Sequence, residues 1–239
     1  ADHRCLTHQQ KKVFRDWLRR SAAGEPVQYI TGETEFFGLP FTLTGDVLIP
    51  RPETERLVEI AINEANESKE FSVLDIGTGC GSIAVSLACS LKEISVTATD
   101  NNRNALKVAQ LNAKKNGVAS RIQFIDHDIL NDEVENCFDI IVSNPPYVPL
   151  KEYKALQDNV RCFEPREALT EDADGLTFYR SFAAKGKNWL REGGMMILEV
   201  GCGKHPLHAK ELFELAGWTE VELFKDYNGD LRVLKAKRP

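Results

Sequence analysis

Three features of the sequence predict a doubly wound, mostly parallel α/β sheet of seven strands that ends in an antiparallel hairpin. From Phe71 onward, short apolar runs alternate with amphipathic helical stretches, the pattern of parallel βαβ units. The first of these runs ends in Gly77-Thr78-Gly79-Cys80-Gly81, a turn suited to joining a buried strand to the helix behind it. The last two runs flank Asn228-Gly229-Asp230, a strong hairpin signal, so an antiparallel edge closes the sheet.

Taken in order, residues 8–23 read as a helix of mixed charge with a weak apolar stripe at Val13, Trp17 and Leu18, stopped by Gly24-Glu25-Pro26. The chain opens on Ala1 rather than Met, and this helix is expected to be the tail of a helical module that begins further upstream. Residues 27–49 look β-like, with strands expected over 27–30, 33–37, 41–43 and 47–49 and turns at Gly32, Gly38-Leu39-Pro40 and Gly45-Asp46. Pro50-Arg51-Pro52-Glu53-Thr54 is a stiff turn that opens a helix over 53–66, whose apolar face is Leu57, Val58, Ile60 and Ala61. Strands are then expected over 72–76, 95–99, 121–125, 138–142, 195–200, 219–225 and 231–237. The intervening helices are expected over 82–91, 104–116, 176–190 and 206–216, with Gly117 and Gly193-Gly194 as C-terminal stops. Three units follow: 1–26 as the end of a helical module, 27–49 as a β-hairpin linker and 50–239 as the α/β domain.

Composition excludes several classes. The 239 residues suffice for one large domain, or for one domain with a small extension. Hydrophobic content of 42% and charged content of 28% are ordinary for a globular protein, and no apolar run reaches the length of a membrane span. A formal net charge of -6 argues against a chain built to wrap nucleic acid, although Lys11, Lys12, Arg15, Arg19 and Arg20 form a local basic cluster. The six cysteines form no CxxC pair, and Cys80, Cys89 and Cys137 lie in or beside apolar runs, as expected of reduced thiols in a cytoplasmic protein. His205 and His208 have HxxH spacing but no completing ligands, so no metal is expected.

The chemistry collects at strand ends. Glycines after the first strand let a ligand approach the backbone, and the helix behind them offers free N–H donors. Asp100, at the tip of the second strand, suits the two hydroxyls of a ribose. No Lys-Ser/Thr follows the glycines, which argues against a phosphate-cradling loop, and the third glycine comes one residue early for a dinucleotide site. Asp128-Ile129 ends the third strand and suits either an adenine edge and ring or a capped loop. Asn144-Pro145-Pro146-Tyr147 ends the fourth, where the prolines stiffen an amide and a ring. Glu53 and Thr54 read either as site residues or as helix caps, and Arg51 either as a site residue or as a carboxylate's partner. Phe36 and Phe37 read as hairpin core, Glu164 and Arg166 as ties to the Asn144 turn, and Glu199 is left open between core and crevice.

The glycine loop, Asp100 and the Asn144–Tyr147 turn resemble class I S-adenosylmethionine-dependent methyltransferases that act on an amino or amide nitrogen. Gly24 to Gly32, Glu35-Phe36-Phe37-Gly38, Leu48 to Glu55, Asn144 to Tyr147 and Glu164 to Leu169 resemble the glutamine N5-methyltransferases of peptide chain release factors. That resemblance implies a Rossmann-like methyltransferase domain over 50–239, preceded by the last helix of a substrate-docking module. It implies S-adenosylmethionine as cofactor, held by Gly77, Thr78, Gly79, Cys80, Gly81, Asp100, Asp128, Ile129, Asn144 and Thr54. The substrate it implies is the glutamine of a Gly-Gly-Gln loop in a release factor, met by Asn144, Pro145, Pro146, Tyr147, Arg51 and Glu53. Asn144, Pro145 and Tyr147 would carry the reaction: the Asn144 side-chain oxygen and the Pro145 carbonyl accept the two amide hydrogens, and Tyr147 packs on the flat amide. The same motifs fit a ribosomal-protein glutamine methyltransferase and an adenine N6 methyltransferase. A monomer with no membrane or stable nucleic-acid partner is the expected working form.

Overall fold

The computed structural model describes residues 6–65, 71–135 and 137–239. Helix α1 (His8–Ala22) is started by a reciprocal capping box between Thr7 and Gln10. It buries none of its residues, and Val13, Phe14, Trp17 and Leu18 stand exposed. Arg20 anchors its end on Glu25 and on the carbonyls of Tyr29 and Ile30.

The expected strand over 27–30 is instead one helical turn, α2 (Val27–Thr31). Pro26 sets the entry, Gly32 at φ 74° ends the turn by donating to the Gln28 carbonyl, and the Thr31 hydroxyl donates to the Val27 carbonyl. The turn drops Ile30 into the core, and that burial outweighs the β preference of Val27, Ile30 and Thr31. β1 (Glu33–Phe36) and β2 (Leu39–Thr42) form the expected hairpin. Residues 47–49 are not a strand: Val47 and Ile49 are buried, and their backbones are engaged by the Tyr29 hydroxyl and by Glu164. The hairpin is stitched to the main sheet's helices by the fully buried Asn112, which binds both the N–H and C=O of Thr42 and also the Cys80 carbonyl.

A short 3-10 turn, Pro52–Thr54, precedes α3 (Glu55–Glu64); Asn66, the expected helix end, lies outside the described residues. Then follow β3 (Phe71–Ile76), α4 (Ser82–Ser90), β4 (Ile94–Asp100), α5 (Arg103–Lys115), β5 (Ile122–Asp126) and β6 (Phe138–Ser143). Two short helices that the sequence pattern did not reveal, α6 (Leu150–Tyr153) and α7 (Asp158–Phe163), lie in the chain between β6 and α8 (Thr177–Lys185). The chain closes with β7 (Leu190–Glu199), α9 (His205–Leu215), β8 (Thr219–Lys225) and β9 (Leu231–Lys237).

The helix expected over 176–190 ends at Lys185, and Gly193-Gly194 lie inside β7. Leu190 pairs with Phe138 and Met195 with Ile140, so the residues between bulge out of the ladder. Gly193 sits at φ 71°, and a side chain at Gly194 would meet the Asp139 carbonyl at 3.0 Å. These glycines permit a bulge; they do not end a helix.

The seven strands run in the order β5-β4-β3-β6-β7-β9-β8, parallel through β7, with β9 antiparallel to β7 and β8 antiparallel to β9. Alternate residues face opposite layers. Val73, Val96, Ile140, Val142 and Val233 pack with the hairpin and with α3, α4 and α5. Leu74, Ile76, Ile141, Met196 and Leu198 pack with Tyr179, Phe182, Trp189, Phe213 and Trp218 on the α8 and α9 side. The chain leaves β3 first toward β4 and β5 and then returns to β6 on β3's other side. The crevice beyond the strand ends at this reversal is where open α/β sheets bind ligands.

Candidate active site

A cavity of about 230 Å³ lies at that reversal. One wall is the loop between β3 and α4. Thr78 N–H donates to the Thr99 carbonyl, and Gly79 N–H donates to Asp100 at 2.9 Å. Asp100 also accepts Asn102 N–H at 2.9 Å, so each carboxylate oxygen has one backbone donor and keeps lone pairs for a ligand. Burial raises its pKa, against the pull of those amides. Gly81 ends the loop at φ 84°, where a side chain would strike Ala109 at 3.1 Å, so α5 can pack close behind the loop. Below it, Asp75 is fully buried. One of its oxygens accepts the Thr78 hydroxyl; the other has no hydrogen-bond partner among the described residues. Burial pushes this carboxyl up to about 7.

The opposite wall is the turn that leaves β6. Asn144, Pro145 and Pro146 line the cavity, with Thr54, Pro165, Glu167 and Ala168 beside them. Asn144 Nδ2 lies 3.4 Å from Thr54 Oγ1, and the Thr54 hydroxyl donates to Glu199 Oε2 at 2.5 Å. The Tyr147 hydroxyl donates to the other Glu199 oxygen at 3.1 Å, and the Tyr179 hydroxyl to the Glu199 carbonyl at 2.6 Å. Neither Asn144 Oδ1 nor the Pro145 carbonyl has a hydrogen-bond partner among the described residues. Arg51 pairs with the buried Glu164, which also accepts Ile49 N–H. That tie holds segment 165–168 against the 48–54 turn, so two pieces of the lining brace each other.

Of the expected site residues, Gly77, Thr78, Gly79, Cys80, Asp100, Asp128, Ile129, Thr54, Asn144, Pro145 and Pro146 line the cavity; Gly81, Arg51, Glu53 and Tyr147 do not. Tyr147 is turned away toward Glu199, with its ring tilted 6.0 Å from that of His205. Glu53 accepts from Asn228 of the β8–β9 turn. Thr54 makes no capping bond to α3; its hydroxyl is spent on Glu199. The Asp128 carboxylate accepts Leu130 N–H and the Asn131 amide, as a loop cap does, and still borders the cavity. The Glu164 tie goes to Arg51, not to the Asn144 turn, while Arg166 pairs with Asp172 over the Tyr153 ring. His205 accepts Gly201 N–H at Nδ1 and therefore donates from Nε2 to the Gly175 carbonyl. No group of three or more metal-ligating side chains gathers among the described residues. Sequence reasoning left out Val47, Leu48, Asn102, His127, Glu167 and Phe178, which also line the cavity. Leu48, Asn102 and His127 sit one to three residues from an expected site residue, and that nearness was the available signal; Val47, Glu167 and Phe178 carried none.

Residues 55–162 match the Methyltransferase small domain model, and residues 1–32 match the PrmC N-terminal domain model. A release factor glutamine methyltransferase of Chlorobaculum tepidum is 41% identical over 239 residues, covering 95% of this chain and 80% of its own. One from Flavobacterium psychrophilum is 45% identical over 218 residues, covering 88% of this chain and 75% of its own. The chain belongs to the release factor glutamine methyltransferase family.

Membership makes it an enzyme of the methyltransferase class, and solved structures agree on the fold. A methyltransferase from Pyrococcus furiosus superposes with a TM-score of 0.61 at 18% identity, covering 98% of this chain and 99% of that one. The hMettl16 catalytic domain in complex with MAT2A 3'UTR hairpin 6 superposes with a TM-score of 0.67 at 18% identity, covering 85% and 77%. Among the described residues of this family member, no helix is long and apolar enough to cross a membrane.

Proposed function

We propose that this chain methylates the side-chain amide nitrogen of the glutamine in the Gly-Gly-Gln loop of peptide chain release factors, in the cytoplasm, with S-adenosylmethionine as donor. The observation that carries the reading is the pair of acceptors without a partner among the described residues, Asn144 Oδ1 and the Pro145 carbonyl, on one stiff turn that lines the same cavity as the glycine loop. The cavity suits the cofactor. Side chains at Gly77 or Gly79 would meet nothing within 4 Å, so bare backbone is open to a ligand there. Asp100 has lone pairs for ribose hydroxyls, and Ile129 and Leu130 offer an apolar bed beside Asp128 for a flat base.

When bound, the cofactor supplies a methyl carbon made electrophilic by its sulfonium. An amide nitrogen is a poor nucleophile, because its lone pair is shared with the carbonyl. Asn144 Oδ1 and the Pro145 carbonyl would each accept one of its hydrogens, orient it, and stabilise positive charge as it develops on nitrogen. The prolines hold those dipoles in place beforehand, so little reorganisation is needed. No strong base is required, because nitrogen becomes acidic once alkylated and releases a proton to water. Arg51 serves by bracing the lining through Glu164.

The test is incubation with methyl-labelled S-adenosylmethionine and purified release factor, followed by peptide mapping. Label on the Gly-Gly-Gln glutamine supports the reading. No label on that glutamine, with transfer to a ribosomal-protein glutamine or to adenine in parallel incubations with ribosomal proteins and nucleic acid, overturns it.

A further inference from the structure

We propose that Glu199 is a positioning residue for this reaction: through Thr54 it holds the Asn144 amide with its oxygen turned to the substrate. The proposal rests on the amide-clamp reading above and adds what makes that clamp work.

The prolines fix the backbone of the Asn144 turn, but they leave the side-chain amide free to rotate end for end. The two ends are opposite in kind. The oxygen accepts hydrogens from the substrate amide, whereas the NH2 would confront them donor to donor. Something must select the end, and the donors and acceptors beneath the turn do so. Glu199, 1% exposed at the end of β7, takes the Thr54 hydroxyl on one oxygen and the Tyr147 hydroxyl on the other, at 2.5 and 3.1 Å. Each carboxyl oxygen accepts one hydroxyl, so both hydroxyl hydrogens are committed to Glu199. Thr54 Oγ1 has then no hydrogen left to give and can only accept. The neighbour it accepts from is Asn144 Nδ2, at 3.4 Å. With nitrogen held there, Oδ1 is the end left for the cavity.

Glu199 itself does not line the cavity, so it cannot touch the substrate or remove its proton. Its own position is secured separately by the Tyr179 hydroxyl on its backbone carbonyl. Burial raises the Glu199 pKa, and the Thr54 hydroxyl, Arg232 and the Tyr147 hydroxyl oppose that rise; Arg232 is itself hydrogen-bonded to Asp226 and to the Val200 carbonyl, leaving the Glu199 oxygens to the hydroxyls.

Glu199→Gln keeps the size but replaces one acceptor oxygen with a donor, which forces the Thr54 or the Tyr147 hydroxyl to turn. Thr54→Val keeps the shape and removes the hydroxyl; Thr54→Ser keeps the hydroxyl. The assay is methyl transfer from S-adenosylmethionine to purified release factor, with cofactor Kd from calorimetry. For Glu199→Gln and Thr54→Val, kcat is expected to fall about 10- to 100-fold while release-factor KM and cofactor Kd stay within about threefold, and Thr54→Ser is expected to recover most of kcat. On an Asn144→Ala background, Glu199→Gln should lower kcat no further, because the amide it orients is gone.

Unchanged kcat in both Glu199→Gln and Thr54→Val, with Asn144→Ala still impaired, overturns the relay and leaves the clamp standing. Additivity of Glu199→Gln with Asn144→Ala also overturns it. Loss of cofactor affinity alone in Thr54→Val would make Thr54 a cofactor contact and overturn it too. Absence of transfer to glutamine by the parent enzyme is the different result that removes the clamp itself. Thr54→Val keeps the test decisive should Glu199→Gln fail to fold.

Discussion

The two walls of one cavity are built from different materials. The glycine wall is local: Asp100 grips Gly79 and Asn102, residues 21 and 2 positions away, through backbone amides. The Asn144 wall is assembled at long range: Thr54 meets Glu199 across 145 residues and Asn144 across 90. One wall presents backbone and a carboxylate, and on the proposed function its errors are expected to appear as lost ligand affinity. The other presents an amide, and its errors are expected to appear as lost rate. The proposed function thus divides holding from reaction between the two walls.

The sharpest way to break that division is Asn144→Ala. Turnover is expected to fall about 100- to 1,000-fold, the usual loss for a donor or acceptor aimed at developing charge, with cofactor Kd within about threefold. A loss of affinity in place of rate would abolish the distinction between the walls. Asp75 tests the glycine wall's foundation. Its carboxyl is raised from 3.8 to about 7, so the stability it contributes is complete below pH 3.8 and is lost as pH rises through about 7. Asp75→Asn keeps an acceptor for Thr78 and removes the titration. Its stability relative to the parent, from urea unfolding at a series of pH values, should therefore climb across that window; a constant difference would mean the carboxyl does not titrate there.

Asp100→Ala is expected to weaken cofactor binding about 10- to 100-fold while kcat at saturating cofactor stays within about threefold, as calorimetry and initial rates would show. The smallest effects separate two glycines of the same loop. Gly81→Ala drives a methyl into Ala109 at 3.1 Å and should cost about 1–3 kcal/mol of stability. Gly79→Ala enters open space and should cost only about 1 kcal/mol of left-handed backbone strain, its main cost appearing in cofactor affinity. Equal unfolding midpoints for the two variants would contradict this.

Much of the fold was legible because its signals are local. The alternation of strands and helices, Gly117 as the stop after α5 and the Asn228-Gly229 hairpin all act within a few residues. The misreadings share one cause: a local signal was outvoted by distant packing. Val27–Thr31 carries β-branched residues yet forms a helical turn, because Ile30 is drawn into the core between flanking Pro26 and Gly32. Gly193-Gly194 has the look of a helix stop, yet it serves a bulge beside β6 that only strand pairing creates. In the site, each cavity-lining residue foreseen lies at a strand end or in a stiff turn. The tilt of Tyr147 away from the cavity was not visible, because its partner Glu199 is 52 residues away.

The sequence by itself determined the order of strands along the chain, the glycine loop, the acid at Asp100 and the turn at Asn144, since each is written in adjacent residues governed by backbone sterics and short-range hydrogen bonds. The tertiary structure alone decided which end of the Asn144 amide meets Thr54, that the Thr54 hydroxyl goes to Glu199 rather than to a helix cap, and that Glu199 lies buried beneath the turn. Those outcomes depend on a buried carboxyl that accepts two hydroxyls, and its donors arrive from segments that meet only when β3, β6 and β7 lie side by side.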